Sequence, residues 1–181
     1  QLRYIRGAFG PKPFVLGKYE QTRTRATIAE GIANGGAGLG FYANFKNPAG
    51  REAMTTYFGF AARHRDLYQD AQPAAELLLL YPRAAVHRGD LEPLARFKAI
   101  GRQLAREGYV FDIVPDDLVT EALTSSRQAV VDCFPLGTTP VAPRVTRLTL
   151  SATPEEGAVA NWRKELAAVT RREGAPTVIA S

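Results

Sequence analysis

The sequence holds one cysteine, Cys133, which excludes an internal disulfide and any zinc site built on several thiolates. Histidine is almost as scarce: His64 and His87 have no carboxylate or thiol at ligand spacing between them, so no metal is expected. Long apolar runs are missing too. The longest, Leu77 to Tyr81, is strand-sized and far short of the ~20 residues that cross a bilayer, so no membrane partner is expected. The first residues, Gln1-Leu2-Arg3-Tyr4, lack the basic stretch and apolar core of a signal peptide, which leaves the compartment open. There is no initiator methionine, and the chain closes on the apolar Val178-Ile179-Ala180. Both features create the expectation of a piece of a longer polypeptide.

Acidic residues are in deficit, with 18 Asp and Glu against 23 Lys and Arg, a net charge of +5. Clustered cations would suit a phosphate backbone. Here the arginines are dispersed apart from Arg23, Arg25 and Arg171-Arg172, so a solvated surface is expected and no nucleic acid. What is present is ordinary for a globular protein: 45% apolar residues, 23% charged ones, and enough length to bury a core.

Periodicity and punctuation point to an α/β fold in two modules, 1–72 and 73–181, the second poorly defined after about residue 135. Pro13 to Tyr19 reads as a buried strand, followed by a helix with Ile28, Ala29, Ile32 and Ala33 on one face. Asn34-Gly35-Gly36 stops that helix. Leu39 to Phe45 is the next strand, and Asn47 to Gly50 a loop. A long amphipathic helix from about Arg51 to Tyr68 places Met54, Tyr57, Phe58, Ala61 and Leu67 inward. Strand-helix-strand-helix order implies parallel pairing with crossovers.

After Gln72-Pro73 the alternation restarts. Glu76 to Tyr81 is apolar enough for a strand covered on both faces. Asp90 caps a helix through Leu94, Phe97, Ile100 and Leu104, with Pro93 tolerated in its first turn and Gly108 at its end. Tyr109 to Val114 is a strand, a short helix runs from Pro115 to about Leu123, and Ala129 to Cys133 is a third strand. Beyond the Pro135–Pro143 loop, Val145 to Leu150 alternates like a half-exposed strand. Thr153-Pro154-Glu155-Glu156 opens a helix with Val159, Trp162, Leu166 and Val169 on one face, and Thr177 to Ala180 is a last short strand.

In parallel α/β proteins ligands sit beyond the carboxyl ends of the strands. That rule selects Glu20, Tyr42, Asn44, His87, Asp116 and Asp117. Glu20 directly follows a strand, where a carboxylate can serve as nucleophile or base. Equally, it can start a helix or pair with Arg23 or Arg25. Glycoside hydrolysis needs two carboxylates, and neither Glu30 nor Glu52, both on helices, is a convincing second. Cys133 also ends a strand, but Asp132-Cys133-Phe134-Pro135 lacks the small residues of a nucleophile elbow, which favours a buried structural thiol. Gly35 to Gly40 follows a helix and precedes a strand, the reverse of a dinucleotide fingerprint, so no nucleotide cofactor is expected.

Gly17-Lys-Tyr-Glu20, Ile28 to Gly36 and Gly40-Phe-Tyr42 together resemble the end of a glycoside hydrolase barrel of the group around family 42 β-galactosidases. Tyr57 to Phe60, His64 to Tyr68, Ala75 to Pro82 and Phe111 to Asp117 continue the likeness into a flavodoxin-like module. That module is related to class I glutamine amidotransferases and is known as the β-galactosidase trimerisation domain. The likeness spans about residues 13–135 and consists of many weak matches. It implies the last β/α units of a TIM barrel followed by a flavodoxin-like parallel sheet. It also implies Glu20 as the nucleophile and a carbohydrate substrate, which Tyr42 and Asn44, selected by the strand-end rule, are expected to contact. The expected partners are the remainder of the barrel and further copies of the chain. The acid/base glutamate would come from an earlier strand, so the chain is not expected to be catalytic alone; the alternative is a noncatalytic interaction or oligomerisation module.

Overall fold

A computed structural model describes residues 2–10, 12, 15–18, 23–34, 38–41, 47–68, 75–133, 141–149 and 164–168. The chain divides into two compact units, Gln1–Pro73 and Ala74–Ser181.

The first unit opens with helix α1 (Leu2–Phe9), a segment to which the sequence pattern assigned no element. Strands β1 (Val15–Lys18) and β2 (Gly38–Phe41) pair in parallel, from Val15 opposite Gly38 to Lys18 opposite Phe41. The crossover is helix α2 (Thr24–Ala33). Thr24, Ile28 and Gly31 are its buried positions, while Ala29 and Ala33 are exposed, so its inner face is rotated from the expected stripe. A glycine at position 31 accounts for part of the shift, because a buried position without a side chain is invisible to apolar periodicity. Asn34 closes the helix, its side chain donating to the Glu30 carbonyl at 2.8 Å.

Helix α3 (Pro48–Arg63) begins earlier than its apolar residues suggest. The Asn47 carboxamide oxygen accepts from the N–H groups of Ala49 and Gly50 at 3.1 and 3.3 Å, and Pro48 occupies the first turn. What reads as a loop is therefore an N-cap and a first turn. His64 interrupts the long helix, and a separate turn, α4 (Arg65–Tyr68), follows. Ala53 is buried and Met54, Tyr57 and Ala61 are half-buried, but Phe58 and Leu67 face outward, Leu67 at 69% exposure. Apolar spacing therefore identified Met54, Tyr57 and Ala61 on the inner side but misplaced Phe58 and Leu67.

Among the described residues the second unit is an α/β layer with a four-stranded, all-parallel sheet. Its strands are β3 (Leu77–Tyr81), β4 (Phe111–Pro115), β5 (Ala129–Asp132) and β6 (Thr146–Thr149), in the order β4-β3-β5-β6. Leu77 pairs with Phe111 on one side and with Ala129 on the other. Alternate residues feed two cores. Leu77, Leu79, Phe111, Ala129, Val131, Cys133 and Leu148 meet Ile100 and Leu104, together with Leu166 from the helical residues 164–168. Leu78, Leu80, Val114 and Val130 meet Val119, Leu123, Val141 and Val145. Leu77 to Leu80 are wholly buried, and each such side chain contributes about 1.5–3 kcal/mol relative to exposure.

Helix α5 (Arg83–His87) follows β3 directly, in place of the expected loop around His87. Helix α6 (Glu92–Arg106) covers β3. The Asp90 carboxylate accepts from the Glu92 N–H at 3.2 Å, which is the expected cap. Where α6 crosses β3, a Cβ on Gly101 would come within 3.3 Å of Leu79 Cδ2, so the small residue sets the approach.

The helix ends as the glycine predicts. Gly108 has a φ of 75°, Tyr109 N–H donates to the Leu104 carbonyl at 3.0 Å, and Gly108 N–H donates to Ala105 at 3.2 Å. This paired closure needs a left-handed residue. Gly108→Ala should cost about 1 kcal/mol, read as a lower urea midpoint with unchanged slope; an unshifted midpoint would refute the role.

The helix expected from Pro115 to Leu123 is two pieces, a 3-10 turn at Asp116–Leu118 and α7 (Glu121–Ser125). Between them Val119 is extended and buried, and the Thr120 hydroxyl caps α7 by accepting from Leu123 N–H at 3.2 Å. The expected features at Gly35-Gly36, Pro135, Thr153 to Glu156, Val159, Trp162, Val169 and Thr177 to Ala180 lie outside the described residues.

Candidate functional site

Glu20, Tyr42 and Asn44 lie outside the described residues. Their positions in the chain relative to the strands are nevertheless fixed. Glu20 comes two residues after Lys18, the last of β1; Tyr42 and Asn44 come one and three residues after Phe41, the last of β2. Lys18 and Phe41 are partners in the parallel ladder, so both connections leave the strand pair from the same carboxyl edge. The first connection ends at Arg23, which has a left-handed backbone (φ 59°, ψ 27°) before α2. Its carbonyl accepts from both the N–H and the hydroxyl of Thr27, each at 3.0 Å. Those bonds hold a conformation that costs a non-glycine residue about 1–2 kcal/mol.

The corresponding edge of the second sheet gathers Arg83, His87, Asp116 and Asp117. Asp116 is nearly buried and accepts from the Ala84 N–H at 3.3 Å, at the start of α5. Arg83 donates through Nε and Nη2 to one Asp117 oxygen, at 2.9 and 2.6 Å. His87, the last residue of α5, is exposed. Hydrogen bonding from Arg83 holds the Asp117 carboxyl below its ordinary range, against a smaller opposing effect of burial, and the charges of Arg83 and His87 add to the lowering. A carboxylate held ionised by a guanidinium is a weak base. The two acids that strand-end logic selected therefore anchor α5 to the turn after β4.

A depressed carboxyl stabilises the fold above its unfolded value of about 3.9, and the contribution is lost as pH falls through the lower folded value. In a carbon-detected NMR titration Asp117 should titrate below an exposed aspartate, and Arg83→Ala should raise its midpoint. A midpoint indifferent to Arg83 would sink this assignment.

Cys133 follows β5 with its side chain 1% exposed, inside the core cluster of Leu77, Leu79 and Val131. Burial pushes its thiol well up, and the neighbouring Asp132 charge adds to the effect. At neutral pH the group is a protonated thiol and no nucleophile. Iodoacetamide at pH 8 should leave Cys133 unmodified in the folded chain and alkylate it fully in urea; rapid native labelling would contradict the burial.

Two further carboxylates sit inside the sheet. Asp112 on β4 is 4% exposed and accepts from Arg127 Nη2 at 2.6 Å, while Arg127 Nη1 donates to the Ala75 carbonyl at 3.0 Å. Asp132 on β5 is wholly buried and accepts from Arg147 Nε at 3.1 Å and from Arg147 Nη2. In both pairs the arginine follows its aspartate by 15 residues. Sequence reading missed both. The signal available was an aspartate inside an apolar strand, which demands a counter-charge; the identity of the arginine depends on strand order.

Among the described residues no three His, Cys, Asp or Glu side chains converge as metal ligands, and no helix is long and apolar enough to cross a membrane. Comparisons of the chain with known protein families, with curated proteins and with solved structures find no match.

Proposed function

We propose that the chain is the C-terminal part of a glycoside hydrolase-like protein related to family 42 β-galactosidases. In this reading Glu20 is the nucleophile, Tyr42 and Asn44 contact the sugar, and the second unit is a flavodoxin-like, amidotransferase-related module for packing and assembly. The observation that carries the reading is the parallel β1–α2–β2 unit, whose shared carboxyl edge precedes all three residues in the chain. Among the described residues the first unit holds a pair of parallel strands, which is too small to stand alone, and parallel sheets are covered on both faces. Completion by earlier β/α units of one barrel meets that need.

Hydrolysis then divides between two carboxylates. Glu20 attacks the anomeric carbon while an acid from an earlier strand protonates the departing oxygen, and water deprotonated by that same earlier residue then cleaves the glycosyl ester and frees Glu20. The chain by itself supplies only the first of these. The second unit contributes no nucleophile on this reading, because its strand-end thiol is buried and protonated. That same observation favours the alternative reading, a noncatalytic interaction or oligomerisation module.

Assay on aryl glycosides separates the two. The chain alone should be inactive, and a polypeptide with the preceding β/α units should turn over and lose that activity on Glu20→Gln. Turnover undiminished by Glu20→Gln removes Glu20 from the mechanism. An inactive longer polypeptide whose chains associate through residues 74–181 in sedimentation supports the interaction module instead.

A further inference from the structure

We draw no further inference here: the strongest candidate, the exposed aromatic patch of Phe60, His64 and Tyr68 along α3 and α4, with ring centroids 4.5 and 6.4 Å apart from Phe60 and Leu67 beside them, is an unpartnered apolar face and nothing in the structure shows what covers it.

Discussion

Arg147→Met should destabilise the second unit by about 3–5 kcal/mol, the cost of stripping a buried carboxylate of its counter-charge. Asp132 is wholly buried on β5, and Arg147 reaches it from the adjacent strand β6 through both Nε and Nη2. Methionine retains most of the side-chain volume, so the loss reports charge and hydrogen bonding and not a cavity. The arginine side chain keeps 28% of its own exposure, which allows some water to reach the aspartate and favours the lower end of the range. Urea unfolding followed by circular dichroism gives the measurement, with a midpoint lower by about 1 M or more at typical slopes. The companion variant Asp132→Leu with Arg147→Met should recover to within about 1 kcal/mol of the parent, because a well-packed apolar pair replaces a buried ionic one at little cost. A single variant within about 0.5 kcal/mol of the parent would show that Asp132 is satisfied without Arg147.

If the chain completes a glycosidase barrel as proposed, Glu20→Gln should lower kcat of the longer polypeptide by about a thousandfold or more, which is about 4 kcal/mol of transition-state stabilisation. The amide has the shape of the acid but can neither form the glycosyl ester nor accept a proton. On the proposed reading Tyr42 and Asn44 hold the sugar, so KM should change far less than kcat. A fall in KM-dependent terms alone, with kcat intact, would reassign Glu20 from the chemistry to binding.

Legibility in the sequence followed burial. The four consecutive leucines from Leu77 announced a strand covered on both faces, and Gly108 announced the end of α6. Both signals are local, since a run of apolar side chains and a left-handed glycine carry their physics within a few residues. Elements that depended on polar groups were harder. Asn47-Pro48 resembles a loop as readily as a helix start, and only the carboxamide bonds to Ala49 and Gly50 decide it. Val119 extends the chain between the 3-10 turn and α7 because its side chain reaches the core, a tertiary cause that periodicity does not register.

The candidate site divides in the same way. Strand-end logic located Asp116 and Asp117 correctly at the edge of the sheet but could not foresee Arg83 or the half-buried N–H of Ala84 as their partners. The pairs Asp112–Arg127 and Asp132–Arg147 were hidden for a further reason. Each crosses between elements brought together by the order β4-β3-β5-β6, which cannot be read from any one stretch of sequence.

The central place of β3 has a consequence during synthesis. Leu77 to Tyr81 leaves the ribosome before either of its partners, β4 or β5, and before the α6 side chains that bury it. For that interval the segment is uncharged, free of proline and rich in leucine, the composition that pairs between chains. Glu76 immediately before it, and Pro82 and Arg83 immediately after, are the residues that interrupt such stacking. Their positions at both ends of the strand restrain intermolecular pairing until the sheet closes.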